Sequence, residues 1–378
     1  MSWVRPITRG WVVRNEVPGP DVDEFAEPDR VIAALAGQSA PTLLAVQHPH
    51  RTPEAVANGR GLLESLPAAR NTLSTLLRTA YREVSTVVAP YEVDGPDGTA
   101  CGVLCMVDPA AVDAGHVRHS EEVYPDIVRE RAAVLSGLGY ATSAALLVSL
   151  AERDELTAEV RAHTRKTAPV VSTVDTRGRR HHLWLTTDTS MLDAVEANRV
   201  MVADGNHRVA AAASAGLGGL LALVTAGPDL RIGAFHRALT NTGLTADDLA
   251  QAWRNAGLTV REQPDAPTPT TPGHTVVRCQ QTTLVVDLPA GMDHAVVEEI
   301  LLAEALHLDP EGRNVQPLAA GRTPPPNTDA VLELAPVPLT TVLAEHLAGR
   351  RMPRKSTYFT PKPRSGLLLA DLHAQTRA

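Results

Sequence analysis

Short apolar runs bounded by Gly-, Pro- and Asp-rich turns alternate along this chain with stretches in which leucine and alanine recur at helical spacing. That alternation predicts a mixed α/β protein. Thr42-Leu43-Leu44-Ala45-Val46 reads as a short buried strand. Leu62, Leu63, Leu66, Leu73, Leu76 and Leu77 recur at roughly helical spacing and predict a helix from Pro53 to Arg82. Thr86–Val93 and Thr99–Val107 read as strands, and Asp94-Gly95-Pro96-Asp97-Gly98 between them turns the chain into a hairpin.

Further on, the pattern predicts a helix from Ser120 to Leu138 and a solvated, charged helix from Glu152 to Arg165. The Ala/Leu/Val stretch Tyr140–Leu150 between them fits either a strand or a helix. Pro169–Val174 and His181–Leu185 are strands on either side of a basic turn. Asn198–Val202 leads into a turn at Asp204, and Val209–Ala215 is a helix stopped by Gly216, Gly218 and Gly219. Leu220–Val224 returns as a strand. The Pro/Thr-rich stretch Pro264–Pro272 and the stretch Arg322–Asn327 cannot pack as regular elements and mark lobe edges. The organisation expected is an N-terminal α/β lobe over 1–115, a core over 116–262 and a C-terminal lobe over 263–378.

The chain has 378 residues, 44% of them hydrophobic and only 3% aromatic, so its core must be built from Ala, Val and Leu. A net charge of −8 lacks the broad positive field that non-specific nucleic-acid binding needs, which disfavours that class of partner. The local basic patches Arg177-Gly178-Arg179-Arg180 and Arg350-Arg351 keep it open. Cys101 and Cys105, four residues apart, share one face of a strand as buried thiols; no second ligand pair completes a zinc site. No basic-plus-apolar leader and no run of about 20 apolar residues occurs, so the expected compartment is the cytoplasm, without membrane partners.

Three clusters could carry chemistry. In Val202-Ala203-Asp204-Gly205-Asn206-His207-Arg208-Val209 an apolar strand ends at Asp204, Gly205 permits a tight turn, and a small-residue helix follows. Unpaired N–H groups at a helix start favour an anion, with Arg208 and His207 as further donors. The plainer alternative is that Asp204 and Asn206 only cap the helix. The second cluster, Arg118-His119-Ser120-Glu121-Glu122-Val123 with Arg129-Glu130-Arg131 downstream, could supply a base, or be a first helical turn with Ser120 as its cap. The third, Met352 to Gly366, gathers cations, hydroxyls and two aromatics, which suits either phosphate binding or a structural tail.

Together these clusters resemble the bacterial family known as domain of unknown function 1015. Asp204-Gly205-Asn206-His207-Arg208 is similar to that family's Asp-Gly-His-His-Arg turn, with Asn206 in place of the first histidine. Met352-Pro353-x-Lys355-Ser356-Thr357-x-Phe359-x-Pro361-Lys362-x-x-x-Gly366 resembles its closing signature, and Arg5-Pro6 and His236-Arg237 also match. The family's glutamate falls on Glu121 when Glu130-Arg131 takes the acidic-Arg pair, and Glu122 remains a competitor. The layout over about Arg118 to Gly219 further resembles the ParB/sulfiredoxin-like superfamily, which includes free serine kinases and nucleotide-binding switches.

That resemblance implies a ParB/sulfiredoxin-like core and a phosphotransferase acting on the hydroxyl of a small free amino acid, serine or threonine. The phosphate donor it implies is ATP or ADP with Mg²⁺. The implied catalytic residues are Glu121, Glu122, Asp204 and His207, with Asp204 as the metal ligand. Gly205, Asn206, His207, Arg208, His236, Arg237, Lys355, Ser356, Thr357 and Lys362 would bind the nucleotide. The resemblance also allows a homodimer. The rival readings are a non-enzymatic nucleotide-binding regulator and an inactive scaffold, the latter favoured by Asn206.

Overall fold

The computed structural model describes residues 2–24, 28–150, 155–226 and 230–374. The chain divides into two compact units, the first made of 1–119, 123–231 and 360–378, the second of 120–122 and 232–359. The sequence pattern predicts three consecutive lobes. In the structure the last segment returns to the first unit, and Ser120–Glu122 groups with the second.

Mixed α/β architecture is present in both units. Among the described residues of the first, a nine-stranded sheet runs in the order Val117–His119, Val200–Asp204, Ala145–Ser149, Leu220–Thr225, Gly98–Val107, Ala89–Gly95, Arg180–Leu183, Val171–Val174, with Val4–Arg5 added on Gly98–Val107. The strand Val200–Asp204 is parallel to Val117–His119 and antiparallel to Ala145–Ser149, so it is paired on both sides. Its core is aliphatic, as the scarcity of aromatics demands: Val103, Val107, Leu147, Val200, Val202, Val209, Ala212 and Val224 belong to one buried cluster. Cys105 lies in this cluster and half-buried Cys101 packs against it; burial pushes the Cys105 thiol up to about 12, which makes it inert. A four-stranded sheet in the same unit places Leu368–Asp371 between Ile7–Val13 and Tyr140–Ala141.

The second unit is a six-stranded antiparallel sheet in which Phe235–Thr240 lies between Val315–Ala319 and Thr328–Glu333. The helix Ala246–Asn255 packs on it through Leu249, Ala250 and Trp253, and starts with a reciprocal cap between Thr245 and Asp248. Among the described residues no helix is long and apolar enough to cross a membrane.

Several expected elements differ. The segment expected as the strand Thr42–Val46 is the helix Leu43–Gln47, because Thr42 caps it by accepting from the Ala45 N–H at 3.1 Å; so short an apolar run carries no period. The long helix expected over Pro53–Arg82 is interrupted around Gly59, at φ +61°, into Pro53–Ala57 and Leu66–Thr79. The strand expected over Thr86–Val93 is two strands, Tyr81–Val87 and Ala89–Gly95, broken beside Thr86 at φ +51°. The second of these forms the expected hairpin with Gly98–Val107. The Tyr140–Leu150 stretch resolves into the strands Tyr140–Ala141 and Ala145–Ser149. The charged helix covers Glu155–Thr164, and Glu152 lies outside the described residues.

Candidate functional site

The turn that the sequence singled out sits at the end of a rigid strand. Val200, Met201, Val202 and Ala203 are all buried, and burying each Val or Met is worth about 1.5–3 kcal/mol. Asp204, only partly buried, is therefore carried on a fixed support. Gly205 follows at φ +94°, the left-handed region where a Cβ is strained. A Cβ there would also lie 3.3 Å from the Ala145 Cβ, so the turn needs glycine on two counts. The helix Asn206–Ser214 starts directly afterwards, earlier than the sequence pattern suggested, and buries Val209, Ala211 and Ala212. The Gly205 carbonyl accepts from the N–H groups of Arg208 and Val209 at 2.8 and 2.9 Å.

Lys362 reaches this turn from a point 158 residues further along the chain, with its Nζ 2.5 Å from Asp204 Oδ1. The segment bearing it is fastened on both sides. Thr360 donates to the Asp97 carbonyl at 2.9 Å, and the N–H and hydroxyl of Ser365 donate to Asp23 at 2.8 and 2.7 Å. The Arg364 N–H donates to the buried Tyr91 hydroxyl at 3.0 Å; that hydroxyl is 2.7 Å from His181 Nδ1, whose Nε2 lies 3.1 Å from Asp175. Burial raises the Tyr91 phenol and lowers the His181 imidazole, so both stay neutral near pH 7.

The other turn residues are tied to the chain around position 120. Asn206 Oδ1 is 3.0 Å from His119 Nδ1. His207 Nε2 accepts from the Tyr124 N–H at 3.0 Å, and its ring stacks on the Tyr124 ring with an interplanar angle of 7°. A nitrogen that accepts from a main-chain N–H carries no proton. The His207 imidazole is thus neutral in this arrangement, and the nitrogen that meets Tyr124 is an acceptor, where the sequence pattern predicts a donor. Arg208 Nη1 donates to the Ala144 carbonyl, and burial, the largest influence, holds its guanidinium below the ordinary value.

The second unit gathers the remaining candidates. Glu121 does not sit in a helical first turn: the helix starts at Pro125, and Glu121 instead pairs with Met352 in an isolated bridge. Proline fits the first turn, where its missing N–H leaves no bond unmade. Glu121 Oε1 accepts from the N–H and the hydroxyl of Thr357 at 3.1 and 2.6 Å, and Oε2 accepts from the Lys355 N–H at 3.2 Å. Lys355 is at φ +51°, and Arg237, 2% exposed, donates to the carbonyls of Arg354 and Lys355 at 3.2 Å each. Arg237 is itself held by Glu298 at 2.6 Å. Glu122 is exposed and 3.5 Å from Arg354, which also pairs with Glu311.

His236 and Ser356, expected on the nucleotide, are turned inward. His236 Nδ1 accepts from the Leu334 N–H at 3.1 Å, and the fully buried Ser356 hydroxyl donates to the Pro353 carbonyl at 2.7 Å. The first unit therefore brings together Asp204, Gly205, Asn206, His207, Arg208 and Lys362, and the second brings together Glu121, Arg237, Lys355 and Thr357. His119, Tyr124, Tyr91 and His181 were missed as supports. Tyr91 and His181 lie 90 residues apart and Tyr124 and His207 lie 83 apart, so no local pattern marks these contacts.

Asp204 fits a divalent cation only as one ligand of several. Among the described residues no group of three or more His, Cys, Asp or Glu could hold an ion, so oxygens from phosphate and water would have to complete the shell.

Among solved structures, the chain is similar to SbnI from Staphylococcus aureus, with 16% identity, a TM-score of 0.42, and coverage of 71% of this chain and 87% of that one. It is also similar to a free serine kinase in complex with AMP (12% identity, TM-score 0.40, 72% and 93% covered). A conserved hypothetical protein from Pyrococcus furiosus compares at 12% identity and a TM-score of 0.40, with 66% and 90% covered. No curated protein matches. Residues 29–299, more than two-thirds of the chain, match the family described as "Protein of unknown function (DUF1015)", and the chain belongs to that family.

Proposed function

We propose that this protein is a phosphotransferase that moves a nucleotide phosphate onto the hydroxyl of a small free amino acid, serine first and threonine second. The observation that carries this reading is the Lys362–Asp204 contact. It joins two signals far apart in sequence, a glycine turn opening a helix and a lysine of the C-terminal signature. A helix start, a lysine and a carboxylate on a rigid support are the parts needed to hold a phosphate and its counter-ion.

Phosphoryl transfer asks a protein mainly for positioning and charge neutralisation. Lys362 and Arg208 supply cationic charge, the helix start that follows Gly205 supplies main-chain donors ahead of Arg208, and Asp204 would hold Mg²⁺. Bound Mg²⁺ would neutralise charge on the phosphate oxygens. The substrate hydroxyl oxygen bonds to the transferred phosphorus while the bond from that phosphorus to the bridging oxygen breaks. The electron pair leaves on the nucleoside diphosphate when ATP is the donor, and the hydroxyl proton passes to Glu121. A carboxylate offers about four acceptor positions, and three donors already lie on Glu121, so room remains for one substrate hydroxyl. Glu122 is the alternative base. Mg²⁺, the amino-acid acceptor and action in the cytoplasm belong to the same reading.

A specific observation favours a second reading, a nucleotide-binding regulator without catalysis. Glu121 already serves as a latch for the Lys355–Thr357 loop, and a latch needs no substrate. Purified protein incubated with ATP, ADP or pyrophosphate and a pool of amino acids, read by mass spectrometry, separates the two. A phosphorylated hydroxy amino acid is the expected product. Nucleotide binding with no transfer to any acceptor would sink the enzyme reading and leave the regulator.

A further inference from the structure

The Lys355-Ser356-Thr357 segment looks in sequence like a nucleotide-binding element, with a cation and two hydroxyls in a row. The structure uses these residues differently. Ser356 is fully buried and bonded to Pro353, while the Lys355 N–H, the Thr357 N–H and the Thr357 hydroxyl all converge on the carboxylate of Glu121. The shortest of these contacts is the hydroxyl, at 2.6 Å.

The loop that presents these donors is held from behind. Arg237 is buried and its fork spans the carbonyls of Arg354 and Lys355, with Glu298 bound to the same guanidinium at 2.6 and 3.0 Å. A buried arginine costs free energy unless it is paired and hydrogen-bonded. Here its bonds run on one side to a carboxylate and on the other to the loop's main chain. A left-handed Lys355 persists only where surrounding structure holds it, and this clamp does so. The order of dependence is Glu298, Arg237, the 354–355 carbonyls, the 355 and 357 donors, and then Glu121.

We infer that Thr357 is a positioning residue for Glu121, and that Arg237 with Glu298 holds the loop that carries it. The inference rests on the phosphotransferase reading, in which Glu121 takes the proton from the substrate hydroxyl. A carboxylate able to rotate loses the near-attack geometry on which proton transfer depends. Thr357 fixes one carboxylate oxygen with two donors and so orients the other.

The test compares Thr357→Val, which keeps shape and loses only the hydroxyl, with Thr357→Ser, which restores it. Both are made in the full chain and assayed by product mass spectrometry on the acceptor that wild type phosphorylates. Thr357→Val should lower kcat about 10- to 150-fold, the worth of one charge-assisted hydrogen bond. The KM for nucleotide should move less than about 2-fold, a smaller change than loss of even a neutral hydrogen bond gives, and Thr357→Ser should recover most of the rate. An unchanged kcat in Thr357→Val, or a serine variant as slow as the valine one, overturns the inference and leaves the phosphotransferase standing. A rise in nucleotide KM at unchanged kcat returns Thr357 to nucleotide binding and also overturns it. Wild type that is inert with every donor removes the phosphotransferase reading and this inference with it. If Thr357→Val fails to fold, Arg237→Lys carries the same test, since it keeps the charge and loses the fork across the two carbonyls. It should lower kcat with KM held, and an unaltered kcat counts against the clamp.

Discussion

Replacing Lys362 by methionine separates its two roles. Lys362 and Asp204 are 32% and 29% exposed, so solvent screens their attraction and the pair adds no more than about 1 kcal/mol to stability. Melting of Lys362→Met should therefore stay close to wild type. On a bound phosphate the same ammonium makes a charge-assisted hydrogen bond worth about 1.5–3 kcal/mol. Losing it weakens nucleotide binding roughly 10- to 150-fold. Isothermal titration with ATP, with and without Mg²⁺, measures this directly. Asp204→Asn completes the cycle. If Lys362 acts only by neutralising Asp204, adding Asp204→Asn to Lys362→Met restores the lost affinity. If Lys362 touches phosphate itself, the loss persists in the double variant. Asp204→Asn alone should bind ATP at least as tightly as wild type without Mg²⁺, because a negative charge has gone, and should gain less from added Mg²⁺. Wild-type affinity in Lys362→Met would refute the placement of phosphate at this turn.

Gly205→Ala should destabilise the protein by about 1 kcal/mol or more, given φ +94° and the nearby Ala145 side chain, and should lower the melting temperature; an unaltered melt would mean that the turn tolerates a Cβ. Truncation after Gly349 removes Leu368–Asp371 from between two other strands, so the product should be insoluble or lack a cooperative melt; a folded, nucleotide-binding fragment would contradict this. Burial lowers His294 to about 3 and His48 to about 4, from an ordinary 6.5, so the unfolded chain binds the extra protons. Their contribution is complete above pH 6.5 and is lost as pH falls toward 4 and 3; for His294 alone the loss at pH 5 is about 2 kcal/mol. Urea denaturation at pH 7.5 and 5.0 should show less loss for His294→Gln than for wild type, and equal losses would reject the assignment.

What was legible in the sequence followed from local chemistry. Asp204-Gly205 declares a turn because a single glycine between an apolar strand and an alanine helix has few other uses, and the strand Val200–Asp204 and the helix Asn206–Ser214 stand on either side of it. Period and turn residues likewise predicted the hairpin of Ala89–Gly95 with Gly98–Val107. The misreadings share a cause. Thr42–Val46 and the 120–124 stretch are too short for a period to form, and their conformation is set by a cap in one case and by a bridge to Met352 in the other. No local pattern announces that Glu121 will accept from residues 355 and 357, more than 230 positions away. A glutamate followed by Pro125 four residues later looks like a helix start because acids favour first turns. The proline marks where the helix begins, which leaves Glu121 outside it.

Asn206 is the residue at which the sequence departs from the family turn, and it had weighed toward an inactive scaffold. The geometry weakens that objection. Asn206 is 8% exposed, and its Oδ1 is the acceptor for the His119 ring nitrogen at 3.0 Å. A histidine at this place would have to keep one nitrogen unprotonated to accept the same bond, and it would titrate near neutral pH. An asparagine oxygen accepts at any pH. The position therefore asks for an acceptor that holds His119, and the substitution keeps that acceptor while removing a titration. The groups on which the proposed phosphate binding rests, namely the Gly205 conformation, the helix start, Arg208 and Lys362, are untouched by it. Asn206 thus belongs to the support of the turn, and its identity is no argument against phosphate binding there.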